Sequence, residues 1–289
     1  MKNKGIVRIL LSLLVSILLV FSFIGVFAVL MTEHVSASSD YFTGQLEKTG
    51  TYENAYSGLM KKFDEISAQT SVPADIYKSS VSEEWLAAAM NEKINGTFQQ
   101  LDFECMIEEP DFSLLDEKLT GYFEEYALEN HVIRDETYTA RLDATIENAH
   151  SAVISAIDVF HISTIQKSGI WNKLVILRSR VPGVKPYVIA AAAVCIVLLI
   201  VLGNPVYWTG TALFASGLIL TVPSALILAS NVIMKFSVKE YTVFTLVTQM
   251  LRSLDKTVLI TGVSMLSAGL IMTVTAIIFV KNKKETDSK

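Results

Sequence analysis

The chain has 289 residues, 51% of them apolar, and a mean hydropathy of +0.44, which excludes an ordinary soluble domain and fits the membrane class. Its charge is partitioned: Thr32 to Lys185 holds 25 acids against 13 bases, a net of −12, and the rest of the chain nets +7. An acidic body of this kind repels phosphate, so nucleic acid is excluded as a partner.

Lys2, Lys4 and Arg8 precede an apolar run of 23 residues, Ile9 to Met31. Basic flanks stay in the cytoplasm, so residues 1–31 are expected to be a cytoplasmic N-terminus and a first membrane anchor. Val35-Ser36-Ala37 has the small-residue spacing of a signal-peptidase site. The apolar run exceeds the roughly 7–15 residues of a signal sequence, however, and a retained anchor is expected.

Residues 32–185 are expected to be an acidic helical domain outside the membrane. Tyr52, Ala55, Tyr56, Leu59, Phe63 and Ile66 recur at helical steps, and Val72-Pro73 stops that helix. Ser80 with Glu83 forms a capping-box pattern before a face of Leu86, Met90, Ile94 and Phe98. Leu101, Phe103, Cys105 and Ile107 alternate, as in a short extended piece. Ser113 with Asp116 starts a helix whose face is Leu115, Leu119, Tyr122, Phe123 and Tyr126, ending near Asn130. Asp135 is the expected N-cap of the longest helix, which keeps its apolar step through Tyr138, Leu142, Ile146, Ala149, Val153, Ile157 and Phe160 to about Gln166. Four amphipathic helices make a bundle the economical reading.

Gly169, Pro182, Gly183 and Pro186 predict a hinge, and Lys167, Lys173, Arg178, Arg180 and Lys185 a basic juxtamembrane collar suited to anionic lipid headgroups. Those five bases lie outside on this reading, against the usual bias of positive charge to the inside. Residues 186–280 are expected to form a three-helix membrane region. Tyr187 to Met234 carries no Lys, Arg, Asp or Glu and breaks only at Gly203-Asn204-Pro205, so it predicts a membrane hairpin. Pro223 is a possible kink, and Gly217, Thr221, Ala225 and Ala229, with Gly262, Ser264, Ala268 and Gly269, predict close helix packing. Residues 239–255 have one apolar face and are expected to form an interfacial helix before a last span, Thr257 to Val280, and residues 281–289 a short basic cytoplasmic tail. The fold class is thus an all-α membrane protein with four transmembrane helices and a helical-bundle extracytoplasmic domain between spans one and two.

Candidate chemistry is sparse. Glu147 with His150 and Asp158 with His161 repeat a carboxylate-x-x-histidine step, the way carboxylate-bridged metal helices supply ligands. Both pairs fall on one predicted helix, with the histidines about 16 Å apart by helical rise, so they cannot share one ion. Local surface pairs, worth a few tenths of a kcal/mol, are the expected reading. The acidic run from Asp102 to Glu117 lacks the spacing and glycine turn of a calcium loop and reads as a solvated surface, and Asn95-Gly96-Thr97 matches the short glycosylation sequon. Cys105 and Cys195 are separated by the predicted membrane boundary and give no disulfide framework. His34 and His131 have no spaced catalytic partner. Neither a nucleophile motif nor a phosphate loop is present, and the spans hold no ionisable residue away from their boundaries.

The expected function is therefore non-enzymatic and cofactor-free. The chain reads as a multi-pass plasma-membrane protein displaying an outer helical domain for binding, sensing or an accessory-subunit role. Its partners are the lipid bilayer and a membrane or extracytoplasmic protein. A small transporter or channel subunit and a metal-dependent membrane enzyme are the alternatives.

Overall fold

The computed structural model describes residues 2–36, 39–102, 109–167, 169–235 and 241–287. It is 89% helical, without a strand among the described residues. In chain order the helices are α1 (Lys2–Ser36), α2 (Asp40–Lys48), α3 (Thr51–Thr70), α4 (Ala74–Lys78), α5 (Glu83–Asp102), α6 (Ser113–Glu129), α7 (Glu136–Ile157), α8 (Ile162–Gln166), α9 (Gly169–Leu202), α10 (Pro205–Ser230) and α11 (Tyr241–Asp287), with a 3₁₀ turn at Val232–Lys235. The chain divides into two compact units: residues 1–37, 176–237 and 247–289, and residues 38–175 with 238–246.

Four helices are long and apolar enough to cross a membrane, over Gly5–Val35, Trp171–Leu202, Pro205–Ser230 and Val243–Lys281, and all but residues 171–175 and 243–246 of them belong to the first unit. Large apolar side chains such as Phe21, Val201, Leu226, Ile271 and Phe279 are exposed on all four, as lipid solvation permits. Inside, Val15 and Leu19 of α1 pack with Ala192, Cys195 and Leu199 of α9 and Ala212 of α10. Cys195 is therefore a packing residue, and Cys105 lies outside the described residues.

Helix ends in this unit are tied by charge. Arg8 donates from its guanidinium to the carbonyl oxygens of Leu202 and Val201, the last of α9, which lack an intrahelical donor and carry the negative end of the helix dipole. The turn beside it follows the expectation: Gly203 (φ 84°) and Asn204 (φ 61°) are left-handed, and Pro205 opens α10. The positive φ is what calls for glycine at 203; a Cβ there would also meet the end of the flexible Arg8 side chain, which can move aside. At the other end of α1, the Lys185 ammonium donates to both oxygens of Glu33, at 3.0 and 2.7 Å.

α10 and α11 meet backbone to backbone. A Cβ on Gly217 would collide with the Leu266 backbone nitrogen, and one on Gly269 with the Phe214 backbone nitrogen. Gly210 meets Thr273 and Gly262 meets Thr221 in the same way, so the two helices run antiparallel with glycines alternating between them. The close packing expected from these residues is present.

Two expectations about breaks are corrected. The hinge predicted near Gly169 to Pro186 is instead helix throughout, because prolines four residues apart remove only the donors to the Arg178 and Pro182 carbonyls. Residues 241–255 are continuous with the last span rather than a separate interfacial helix, since no Gly or Pro interrupts the helix before Gly262. That helix consequently includes Arg252, Asp255 and Lys256. Asp255 lies on the α10 side, where the Ser224 hydroxyl donates to its backbone carbonyl at 3.5 Å, and its Oδ2 is buried without a hydrogen-bond partner.

The second unit packs α3, α5, α6 and α7 with the shorter α2, α4 and α8. Its core is made of the predicted faces: Ala55, Leu59, Phe63 and Ile66 of α3, Leu86, Met90 and Ile94 of α5, Leu115 and Leu119 of α6, and Ala149, Val153 and Ile157 of α7. α2 adds Leu46 and Phe42, whose ring packs against Phe98 and Phe160. α4 adds Tyr77, wholly buried and stacked on Phe63 at 5.5 Å; burial raises the pKa of its hydroxyl, which shares a hydrogen bond with Thr70. The cap of α5 is Ser82, whose Oγ accepts from the Trp85 amide at 3.1 Å, and not Ser80, which turns back to the Ile76 carbonyl. Asp135 caps α7 as expected, accepting from the Tyr138 amide at 3.0 Å. Leu101 is helical, and the remainder of the expected extended piece lies outside the described residues.

Candidate functional site

The long helix expected from Asp135 to Gln166 ends at Ile157, and this decides the fate of the four candidate ligands. Asp158 leaves the helix and His161 takes a left-handed conformation (φ 49°). The Asp158 carboxylate then accepts from the amides of Ile162 (2.6 Å) and Ser163 (3.1 Å), opening α8. Two orphan donors are held by those oxygens, which makes Asp158 the cap of α8, and its backbone carbonyl accepts from the His161 amide at 2.9 Å.

His150 pairs with Asp116 and not with Glu147. Its Nε2 lies 2.6 Å from Asp116 Oδ1 on α6, and its ring stacks on Phe112 with centroids 4.0 Å apart. The pair joins two helices, where sequence spacing suggested a contact along one. Asp116 was legible only as a helix-start residue; the turn that leads into α6 is held by Asp111, whose Oδ1 accepts from the Ser113 amide at 2.9 Å. That bond lowers the Asp111 pKa. Among the described residues no three His, Cys, Asp or Glu side chains gather as a metal site would require. His131 is the other left-handed histidine, at the turn between α6 and α7 (φ 51°).

What the second unit does contain is a furrow along α7. One part, of about 580 Å³, runs between α3 and α7 and is lined by Ala55, Gly58 and Lys62 on one wall and Ser151, Ser155 and Ala156 on the other. A second part, of about 510 Å³, opens between the C-terminal end of α3 and the aromatic face of α6, with Tyr122, Phe123, Tyr126 and Arg141 around it. Gln69, Thr70 and Asn148 line both, so the two parts adjoin along these residues. Their volumes are those of ordinary ligand pockets.

The local causes are clear. On α7 the positions facing the furrow are small or short and polar (Ala144, Thr145, Asn148, Ser151, Ala152, Ser155), so this helix face cannot fill the space beside α3. Tyr122 and Tyr126, one turn apart on α6, stack at 6.3 Å, and Phe123 meets Tyr138 edge-on at 6.1 Å. The two cations differ. Lys62 is engaged by Glu65 on its own helix at 2.8 Å. The Arg141 guanidinium has no ion pair, ring contact or hydrogen bond among the described residues, and only its backbone carbonyl is used, by Thr145. Sequence patterning missed the furrow because it searched for apolar faces, and the signal was a run of small residues on α7 where Leu or Ile would close a bundle.

Comparison adds no relative: no protein-family model, curated protein or solved structure matches the chain.

Proposed function

We propose that the chain is a multi-pass plasma-membrane protein that presents its helical unit on the outer side and engages a partner there through the furrow along α7. The four long apolar helices support the membrane setting. The furrow is the observation that carries the binding role: two adjoining depressions with polar edges, one of them walled by aromatic rings, are what recognition needs and what a merely structural bundle would close. The acidic composition of the surrounding unit and the absence of a nucleophile motif support binding over catalysis.

The test is site-specific photo-crosslinking in native membranes. A photoreactive side chain at Ser151, inside the furrow, should give an adduct that the same group at exposed Glu53 does not. Ser155→Trp should remove that adduct by filling the groove while leaving the thermal transition in place. Equal labelling from Ser151 and Glu53 would sink the proposal.

Asp255 favours the second reading, a transporter or channel subunit, because a buried carboxylate oxygen on a helix seam is the usual mark of an ion path. That reading requires Asp255→Asn to alter ion flux in proteoliposomes.

A further inference from the structure

We propose that the cleft between the start of α10 and the apolar end of α11 is a binding site for one anionic glycerophospholipid of the surrounding bilayer. The upper part of an acyl chain lies between Val206 and Ile277, and the phosphate meets the basic charge gathered at that end of the two helices. This rests on the membrane setting proposed above and is independent of the furrow.

The cleft has a local cause. Glycines hold α10 and α11 together as far as Gly210, which meets Thr273. One turn further out the lining positions include Val206, Tyr207, Ala276 and Val280, with no glycine among them, and the helices part around a cleft of about 610 Å³. That is the volume of ordinary ligand pockets. Val206, Ile277, Phe279 and Val280 are exposed along it, so in a membrane its open side faces lipid.

Length and walls choose the occupant. On α11 the cleft runs from Thr275 to Val280, about 7.5 Å of helix, which is too short to seat a partner helix and enough for the first methylenes of a chain. Charge chooses the headgroup. Arg8 donates to the Leu202 and Val201 carbonyls beside the turn whose Asn204 lines the cleft, and Lys281 directly follows Val280. The sequence around this end, residues 1–8, 201–208 and 275–289, holds seven bases against two acids. Such an excess favours an anionic headgroup over a zwitterionic one on the same chains.

The experiment reconstitutes the purified full chain in phosphatidylcholine vesicles. These carry a trace of phosphatidylglycerol or phosphatidylcholine with a diazirine near the glycerol end of one chain, and adducts are mapped by peptide mass spectrometry. The anionic lipid should label residues 205–207 and 275–280 about fivefold more than the zwitterionic lipid does, and more than it labels exposed Leu226 and Ile260 on the same two helices. Replacing Lys281→Gln, Lys283→Gln and Lys284→Gln together should bring the two lipids level with the thermal midpoint unchanged; Arg8 stays in place because it holds the end of α9. Ala276→Trp should fill the cleft and remove the excess, and if it lowers the midpoint the glutamine variant alone decides. Even labelling of all exposed positions, equal labelling by the two lipids, or an excess that survives the glutamine variant would overturn the proposal and leave the helices in the bilayer. Absence of label at Leu226 and Ile260 as well would refute the membrane setting itself. A cleft that neither lipid labels, in a chain that crosslinks to its own copy, would assign this face to self-association and also overturn the proposal.

Discussion

His150 reaches from α7 to Asp116 on α6, Nε2 to Oδ1 at 2.6 Å, and lays its ring on Phe112. One side chain thus supplies a polar and an aromatic contact between elements 34 residues apart.

His150→Ala should therefore destabilise the second unit by about 1–2 kcal/mol, the sum of a modest hydrogen bond and a ring contact. Glu147→Gln, one turn away on an exposed position, should stay within about 0.5 kcal/mol. Thermal denaturation of the two variants checks the difference, and metal analysis of protein purified without chelator should show no loss on His150→Ala. Stoichiometric metal that disappears in this variant would falsify the pairing as the role of His150.

Asp158→Ala should cost about 1–2 kcal/mol by removing the acceptor for two amides at the start of α8. Asp158→Asn, which keeps one acceptor oxygen, should recover most of it. A loss no larger than that of an exposed Asp→Ala control would show the cap to be unimportant.

The glycines divide by what surrounds them. Gly217→Val and Gly269→Val would each push a side chain into the backbone of the facing helix, so both should lower thermal stability in detergent severely. Gly121→Ala, in the middle of α6 with nothing within 4 Å of its Cβ position, should instead stabilise by about 0.5–1 kcal/mol. Equal effects at Gly217 and Gly121 would contradict the seam.

Asp111 gives a pH dependence. Its folded pKa is lowered by the Ser113 amide, so its contribution is present above the unfolded carboxylate pKa and is lost as pH falls through the lowered folded value. Removing the acceptor by Asp111→Ala should flatten the acid limb of stability between those two values. An unchanged acid limb would exclude the bond as its source.

Sidedness can be tested in intact cells, in a background of Cys105→Ser and Cys195→Ala. An impermeant thiol reagent should modify a cysteine placed at Ser57 and spare one at Lys281. The opposite pattern would place the helical unit inside.

The helices of the second unit were legible because their core positions are large and periodic: Leu59, Phe63, Leu86, Met90 and Val153 are where the 3.6-residue step places them. The end of α7 was not, since the Asp158 turn uses neither Gly nor Pro and depends on amides that are donors in every sequence. The continuity of α9 through Pro182 and Pro186 was hidden for the converse reason: both residues announce a break that a long helix absorbs. His150–Asp116 and the furrow are products of packing between helices, and a pattern read along one helix contains no information about its neighbour.

The glycine seam between α10 and α11 has a consequence for how the membrane unit assembles. Where Gly217 meets Leu266 and Gly269 meets Phe214, the closest approaches are between main chains, already ordered once each helix has formed. Docking the two helices therefore freezes few rotatable bonds, and lipid chains released from the groove gain freedom. Joining α10 to α11 at these positions is therefore opposed by little side-chain conformational entropy.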